Sequence, residues 1–306
     1  MNFGTTWSGL GGLEARGRTF APPPPGPEQA AQVTERWSAG RTSSLEVRLA
    51  TSPKEVRQAQ RLRFEVFCTE LGAAADPMSV LTRRDADAFD AACDHLLVID
   101  HAAQPKPFRR STAKVVGTYR LLRGAAAEAA NGFYSAREFA IAPLLAAERG
   151  RTIVELGRSC VLKPYRNRRT IDLLWQGIWS YVETHGAEIL FGCASLPGTD
   201  PDELALPLSY LHHHHRATAD GWDVRANEDR YVSMNRLPEP AIDRRTAFKT
   251  LPPLVKAYLR VGATVGDGAV IDRAFGTTDI FVVLPVSRIH ARYLDHFGTP
   301  GRRRPA

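Results

Sequence analysis

The chain has 306 residues, of which 43% are hydrophobic and 24% are charged. This composition is typical of an ordinary globular protein with one large or two small domains. The formal net charge of +7 suits an acidic protein partner, nucleic acid or an anionic membrane surface, and does not choose among them. No run approaches the roughly 20 apolar residues that span a bilayer. We therefore expect a cytoplasmic protein, with peripheral contact to the inner membrane left open.

The two ends of the chain differ from its middle. Residues 1–44 are rich in Gly, Pro and Ser and show no periodicity, which predicts a disordered leader. The last residues, GRRRPA, are basic, and we predict a solvated tail over 298–306. The segment 45–297 between them is predicted to be one folded domain.

Strand and helix patterns alternate along that domain. Ser52 and Pro53 are typical of a helix start, as cap and first helical residue. In chain order the predicted strands are SLEVRLA, DHLLVID, KVVGTYRLLR, ERGRTIVELGRSCVL, AEILFGCASL, AVIDRAF and TDIFVVLPV. The predicted helices are SPKEVRQAQRLRFEVFCTELG, NRRTIDLLWQGIWSYVETHG, PDELALPLSYLHHHH, LPPLVKAYLRVG and SRIHARYLDHF. This order predicts a mixed α/β sheet with helices on both faces.

One predicted helix begins with an unusual concentration of positive charge. Arg166, Arg168 and Arg169 lie between a strand and the helix that follows it. The start of a helix is the electrostatically unfavourable end for cations, unless an anion binds there. The pattern therefore predicts that these three residues receive a phosphate.

A charged pair interrupts the apolar strand before that helix, in Glu155-Leu-Gly-Arg158. In a regular strand the two side chains would point to opposite faces. A bulge at Gly157 would bring them together. Because buried charges are unfavourable without a reason, we interpret the pair as functional, with a structural ion pair as the alternative.

Other polar groups leave more than one interpretation open. The aspartates of RRDADAFDAACDH form either a solvated acidic loop or a site for a cation or a substrate ammonium; the EF-hand pattern is absent. Arg120 either pairs structurally or holds a carboxylate. Four adjacent histidines, 212–215, point in different directions on a helix, so we predict no metal site.

Several stretches, in this order, resemble one known family: RLRFEVFCTELG, DADAFDAACDHLLV, VVGTYRLL, FYSAREFAI and VELGRSCVLKPYRNRRTIDLLWQGI. They are similar to the ornithine lipid acyltransferases, the L-ornithine N(alpha)-acyltransferases, which are relatives of acyl-homoserine lactone synthases in the GNAT superfamily. The resemblance runs from about Leu45 to Phe297. It implies a GNAT-like fold of the α+β type, with a twisted, mixed, mostly antiparallel sheet that is splayed where the donor's pantetheine arm inserts.

The resemblance also implies a reaction. A 3-hydroxyacyl chain passes from acyl carrier protein to the alpha-amino group of L-ornithine and gives lyso-ornithine lipid. The implied partners are acyl carrier protein and L-ornithine, and no tightly bound cofactor is expected. We do not expect nucleic acid as a partner, because the sequence contains no motif for it.

Site residues follow from the same resemblance. Glu155 is expected to be the base that frees the attacking amine, Arg158 to fix the acceptor or the acyl oxygen, and Tyr258 to protonate the leaving thiolate. Backbone amides near Cys160 to Leu162 would polarise the thioester carbonyl. The positions expected to bind substrate are Arg63, Phe64, Asp87, Asp90 and Arg120.

The sequence departs from acetyl-coenzyme A enzymes at Arg166-Asn-Arg-Arg-Thr-Ile, where the glycines that wrap a pyrophosphate are absent. Arg166, Arg168 and Arg169 suit the single phosphate of an acidic carrier protein better. Two alternatives stay open. One is an acyltransferase that uses another amine, such as glycine, glutamine or lysine, or a coenzyme A thioester. The other is a non-catalytic basic module that binds carrier protein, lipid or nucleic acid.

Overall fold

The computed structural model describes residues 40–42, 44–103, 113–130, 132–218 and 222–289. The first strand, β1 (Gly40–Thr42), lies inside the segment 1–44 that was predicted to be a leader, and it pairs with the strand that follows it. The rest of that leader to residue 39 and the tail 298–306 lie outside the described residues. So does most of the last predicted helix, SRIHARYLDHF, whose first residues overlap a short 3-10 turn, Val286–Arg288.

Within the described residues, nine strands form a single sheet in the order β1-β2-β3-β4-β5-β6-β9-β8-β7. The other eight are β2 (Leu45–Leu49), β3 (Asp94–Asp100), β4 (Lys114–Arg123), β5 (Ile153–Val161), β6 (Ile189–Pro197), β7 (Tyr231–Val232), β8 (Thr264–Asp272) and β9 (Thr277–Pro285). Strands β5 and β6 run parallel, and the other neighbours are antiparallel. This confirms the predicted mixed, mostly antiparallel sheet.

The first helix, α1 (Pro53–Phe64), begins as predicted. The Ser52 side chain accepts a hydrogen bond from the amide of Glu55, and Pro53 lies in the first turn. A wider helical turn, Glu65–Glu70, continues from its end. The other α-helices of the described residues are α2 (Pro77–Thr82), α3 (Gly124–Ala129), α4 (Ala142–Ala147), α5 (Arg168–His185), α6 (Ala205–His215), α7 (Arg244–Thr250) and α8 (Pro253–Val261).

Hydrophobic side chains cover both faces of the sheet, because successive residues of a strand point to opposite faces. In β9, Phe281 and Val283 join an aromatic-rich cluster. Val282 and Leu284 belong to the larger cluster, which also contains buried residues of α1, α5 and α8. The sheet is therefore buried on both sides, as the near-continuous apolar runs of its central strands indicate.

The parallel pair β5–β6 separates after a short contact. The two strands pair only from Ile153 to Glu155, opposite Ile189 to Phe191, although both continue well beyond. Gly192 lies at the point of separation, where a Cβ would overlap the carbonyl oxygen of Leu156. A cleft thus opens between two central strands of the sheet, and Glu155 is the last residue of β5 before it.

Candidate active site

A cavity of about 250 Å³ occupies the space where β5 and β6 separate. Its walls come from β4, β5, β6, α8 and the turn between β8 and β9. The lining residues are Phe67, Phe89, Cys93, Tyr119, Arg120, Leu122, Tyr134, Glu155, Leu156, Gly157, Arg158, Ser159, Cys193, Ala194, Ser195, Leu254, Tyr258, Asp272, Phe275 and Asp279. The structure therefore brings four of the predicted site residues, Glu155, Arg158, Tyr258 and Arg120, to one cavity.

Glu155 is only 4% exposed, yet it lines the cavity. The amides of Tyr134 and Ser135 donate to its carboxylate at 2.8 and 2.6 Å, and the Ser135 hydroxyl donates at 2.5 Å. Burial raises the pKa of Glu155 above its ordinary value, although these hydrogen bonds oppose the shift. All three donors are neutral groups, and Oε2 accepts from only one of them, so it can still accept a proton. This is the environment of a carboxylate that accepts a proton more readily than an exposed one.

Arg158 lies at a bulge rather than in regular strand. Tyr119 of β4 faces two residues of β5, because Thr118 pairs with Cys160 and Arg120 pairs with Gly157. Arg158 adopts a φ of 50° there, a left-handed conformation that is strained for a residue with a side chain. The bulge predicted near Gly157 is therefore present. It does not join Arg158 to Glu155 in an ion pair; it turns both side chains toward the same cavity.

The Arg158 guanidinium keeps hydrogen-bonding capacity. It lies 3.7 and 3.6 Å from the carboxylates of Asp85 and Asp87 and stacks over the rings of Tyr134 and Phe275, at 5.1 and 4.8 Å. Its Nε is buried and makes no hydrogen bond among the described residues, because the nearest carboxylate oxygen, that of Asp85, lies 3.7 Å away. A buried donor without a partner is unfavourable unless a ligand supplies one.

A network of three arginines and three aspartates supports this wall of the cavity: Arg63, Arg120, Arg158, Asp85, Asp87 and Asp90. Asp90 accepts from Arg63 at 2.7 and 2.8 Å and from Arg120 at 3.2 Å. Burial opposes its ionisation, but the bonds and charges of Arg63 and Arg120 together outweigh burial and hold the pKa of Asp90 below its usual range. The aspartates of this loop are thus ion-paired and do not form a solvated acidic loop.

The network separates the predicted substrate-binding residues into two groups. Arg120 lines the cavity and donates to Asp87 at 2.6 Å. Arg63 is 1% exposed and Asp90 7% exposed, and neither lines the cavity. Asp87 and Asp90 also bond reciprocally across the turn that begins at Asp87. The bonds of Asp90 leave it no free face toward a substrate ammonium. Asp87 Oδ2, in contrast, is buried without a hydrogen-bond partner among the described residues and lies 3.6 Å from Arg158.

From this part of the chain, Phe67 rather than the predicted Phe64 reaches the cavity. Phe64 ends α1 and is buried, whereas Phe67, in the wider turn that follows, lines the cavity. The wider turn changes the helical register, so the periodicity of α1 does not predict which face Phe67 occupies. Phe67 also contacts Phe275, with ring centroids 5.8 Å apart.

Tyr258 of α8 reaches the cavity from the side opposite the network. Its hydroxyl is hydrogen-bonded to that of Tyr119, and its ring packs against Trp175 at 5.9 Å. Burial raises the pKa of Tyr258 well above its ordinary value. The phenol therefore stays protonated at neutral pH and can donate a hydrogen bond to a group in the cleft. Tyr258 also lines the apolar part of the cleft near Gly192.

A second cavity, of about 590 Å³, lies between the start of α5 and α8. We call it the basic groove. Four cations line it, Arg166, Arg168, Lys256 and Arg260, together with Asp172. The predicted phosphate residues Arg166 and Arg168 thus meet at one groove, while Arg169 is exposed and does not line it. Lys256 and Arg260 were not predicted as groove residues, because only folding brings α8 beside α5.

The cations of the groove differ in their freedom. Arg166 donates to both carboxylate oxygens of Glu70 at 2.7 Å and to the carbonyl of Val161 at 2.8 Å, so it also fastens the loop to the end of β5. Arg168 is 86% exposed and lies 3.6 Å from Asp172. Asn167 caps α5 by accepting from the amide of Thr170. Arg168 is therefore the better placed of the two to meet an incoming anion.

One predicted oxyanion donor is already occupied. The amide of Leu162 donates to the carbonyl of Val116 at 2.9 Å. It cannot also polarise a thioester carbonyl, so that part of the stretch Cys160 to Leu162 is excluded. This amide is occupied because Leu162 continues the antiparallel pairing of β5 with β4. The sequence alone does not predict which strands pair.

The four histidines of α6 bond in different directions. His213 contacts the carbonyl of Leu237 at 3.1 Å, and His215 contacts the hydroxyl of Tyr210 at 3.0 Å.

Across the part of the chain that the structure describes, no helix is both long enough and apolar enough to cross a bilayer. The cytoplasmic location and the contact with the inner membrane stay predictions.

Comparison with known proteins identifies relatives of this chain. Residues 62–176 match the family model described as "Acetyltransferase (GNAT) domain". An L-ornithine N(alpha)-acyltransferase of Brucella abortus (strain 2308) is 51% identical over 86% of this chain and 92% of its own length. Its counterpart from Rhizobium meliloti (strain 1021) is 48% identical over 86% of this chain and 88% of its own length.

Among solved structures, an N-acyl amino acid synthase from uncultured soil microbes is 12% identical, and the match covers 79% of this chain and 91% of that chain with a TM-score of 0.42. A likeness at this level carries no argument about the site. The two curated relatives, by contrast, each match 86% of this chain and are identical to it at about half of the matched positions.

Proposed function

Since the chain belongs to the L-ornithine N(alpha)-acyltransferase family, we propose that it transfers a 3-hydroxyacyl chain from acyl carrier protein to the alpha-amino group of L-ornithine. The amine attacks the thioester carbonyl, an amide bond forms, and the carbon–sulfur bond breaks. The products are lyso-ornithine lipid and the free thiol of the carrier's pantetheine arm. The position of Glu155, at the separation of β5 and β6, is the observation that carries this proposal.

Glu155 acts as the base. An ammonium group has no lone pair, so the acceptor must lose a proton before or during attack. Burial raises the pKa of Glu155, which makes the carboxylate a better proton acceptor than an exposed one. Its bonds to Tyr134 and Ser135 fix its position, so that Oε2 is oriented when the amine arrives.

Arg158 holds the acceptor's carboxylate. Its Nε is buried without a hydrogen-bond partner among the described residues, and it lines the same cavity as Glu155. A carboxylate is the natural partner of a guanidinium, because the two groups match in charge and planar geometry. The alpha-carboxylate and alpha-amine of one amino acid would then lie between Arg158 and Glu155.

Tyr258 donates to the leaving sulfur. The phenol is protonated at neutral pH because its pKa is raised, and it lies on the wall of the cleft that faces β6. A hydrogen bond to the thiolate stabilises the charge that develops when the carbon–sulfur bond breaks. Tyr119 bonds to the same hydroxyl and positions it.

The basic groove receives the phosphate of the pantetheine arm and the acidic surface of the carrier. Arg168, Lys256 and Arg260 supply positive charge there, and Trp175 lines the groove while its ring packs against Tyr258. The groove therefore adjoins the cavity through two residues in contact. Electrostatic attraction between oppositely charged surfaces accelerates such encounters.

The test is direct assay of the purified full chain. Each donor, 3-hydroxyacyl carrier protein or the matching acyl-coenzyme A, is combined with ornithine, glycine, glutamine or lysine, and the products are weighed by mass spectrometry. We expect an amide of ornithine formed fastest from the carrier-bound donor. A preference for coenzyme A or for another amine would replace the donor or acceptor in the proposal. No product from any pair would favour the non-catalytic alternative.

A further inference from the structure

Three carboxylates that the proposed reaction does not use lie together at one side of the cavity. Glu138, Asp272 and Asp279 each offer an oxygen within 4.8 Å of the others. Asp272 and Asp279 line the cavity together with Glu155. Glu138 precedes a buried segment that packs on β9, and the other two residues flank the turn between β8 and β9. We call this group the acidic triad.

Hydrogen bonds within the protein satisfy the acidic triad only in part. Asp272 Oδ1 accepts from the amides of Ala274 and Phe275, and Asp279 accepts from the hydroxyls of Thr277 and Ser195. Glu138 is 4% exposed, and its Oε1 lies 3.4 Å from an Arg230 nitrogen. Its Oε2 is buried and has no hydrogen-bond partner in the described part of the chain. That unpartnered oxygen indicates a missing donor.

We infer that the acidic triad binds the distal, side-chain ammonium of the amino-acid acceptor and thereby selects a diamino acid, an inference that rests on the proposed function. An ammonium carries three N–H donors. Acceptors that surround one nitrogen tetrahedrally at charge-assisted distance lie about 4.6 Å from one another. The separation within the triad accommodates that arrangement.

The triad is connected to the proposed base. The Ser135 hydroxyl donates to Glu155 at 2.5 Å, and the thiol of Cys193 donates to the Ser135 oxygen at 3.4 Å. Glu138 lies beside the same thiol. Two side chains thus span the distance between Glu155 and Glu138. Ornithine has three methylenes between its alpha carbon and its distal amine. One ornithine molecule can therefore reach both Glu155 and the acidic triad.

The charge of the triad in the unliganded protein agrees with a cationic ligand. Burial and the neighbouring Asp279 raise the pKa of Glu138 to about 7. The pKa of Asp279 is raised by burial as well. Arg230 and Arg158 are the cations that oppose these shifts, and they do not cancel them. A ligand ammonium would supply the missing positive charge.

The experiment compares ornithine with norvaline, which has the same carbon chain without the distal amine. Using the carrier-bound donor and the full chain, kcat/KM is measured for wild type, Glu138→Gln, Asp279→Asn and the exposed control Asp229→Asn. We expect wild type to prefer ornithine strongly. In the two triad variants the ornithine-to-norvaline ratio of kcat/KM falls about 10- to 100-fold, the effect of losing one charged hydrogen bond. The control keeps the wild-type ratio.

Each other outcome has a definite meaning. If wild type uses norvaline as well as ornithine, the distal ammonium is not recognised and the inference fails without any variant. If the triad variants lose both activities equally, the triad is structural and the inference fails. If chelation abolishes activity and a bound metal is found, the triad is a metal site. In all three cases acyl transfer to ornithine still stands, whereas wild type that acylates no amine contradicts the proposed function itself.

Discussion

The buried carboxylates at two walls of the cavity have pKa values that are shifted in opposite directions. Behind one wall, Asp90 is bonded to Arg63 and Arg120, and its pKa is held below the usual range. On the other, Glu155 has only neutral donors, and burial raises its pKa. The first arrangement keeps a carboxylate ionised at every physiological pH. The second leaves a carboxylate that can exchange a proton.

This difference separates carboxylates that stabilise the fold from carboxylates that can take part in the reaction. A fully paired carboxylate has no capacity left for a substrate, so its removal should affect folding first. A carboxylate with a raised pKa is suited to proton transfer, so its removal should affect rate first. The predictions below test that separation from the largest expected effect to the smallest.

Replacing Glu155 by Gln should give the largest loss of activity. The amide cannot accept the amine's proton, so we expect kcat/KM for ornithine to fall by about 10² to 10⁴. The side-chain NH₂ would also face a backbone amide and destabilise the fold by about 1–3 kcal/mol. Kinetics and thermal unfolding are measured together, with Glu128→Gln, an exposed position on α3, as the control. If the variant kept nearly wild-type activity, Glu155 would not be the base.

Replacing Asp90 by Asn should instead destabilise the protein. It removes the buried carboxylate that bonds both Arg63 and Arg120 and leaves their charges only partly compensated by Asp85 and Asp87. We expect the free energy of unfolding to fall by about 3–5 kcal/mol. Because the pKa of Asp90 is lowered in the folded state, its stabilisation is present at neutral pH and is lost as the pH falls below the ordinary carboxyl range.

Denaturant unfolding at neutral and acid pH measures this effect. The control is Asp223→Asn, which breaks a pair with Arg216 at the surface and should change stability by less than about 1 kcal/mol. If Asp90→Asn unfolds like wild type but no longer binds ornithine, Asp90 contacts the substrate after all, and the comparison between the two walls fails.

Local patterns predicted the parts of the fold that are set by local chemistry. Ser52 and Pro53 start α1 as expected, and Gly186 ends α5 with a φ of 59°. The position of Glu155 in a central strand was also predictable. What could not be predicted depends on contacts between distant segments, such as the pairing of Arg63 with Asp90.

The same limit explains the residues that were missed. Phe67 rather than Phe64 reaches the cavity because a wider turn follows α1. Lys256 and Arg260 join the basic groove because α8 packs beside α5. The acidic triad unites three positions with no shared motif, and no spacing rule would have joined them.

Replacing Tyr258 by Phe should slow the release of the thiol. The ring and its contact with Trp175 are retained, but the hydrogen bond to sulfur is lost, and we expect kcat to fall about 10- to 100-fold with little change in KM for ornithine. Tyr119→Phe, which removes the hydroxyl bonded to Tyr258, is the matched comparison and should have a smaller effect. Equal effects would assign the role to the pair rather than to Tyr258.

Charge reversal in the basic groove should have the smallest effect on rate and should act on the carrier alone. For Arg168→Glu and Lys256→Glu we expect the apparent KM for acyl carrier protein to rise about tenfold, with the KM for ornithine unchanged. Added salt should raise the wild-type KM and affect the variants less. Arg149→Glu, an exposed position, is the control. A wild-type KM that does not depend on salt would remove the docking role.

The pH dependence of kcat/KM, measured for wild type and Glu155→Gln side by side, tests the central claim most directly. Because burial raises the pKa of Glu155, wild-type activity should fall as the pH decreases through that raised value, where the carboxylate gains a proton. The variant should lack this acidic limb and keep only the dependence that arises from the amine. An identical acidic limb in both proteins would contradict Glu155 as the base.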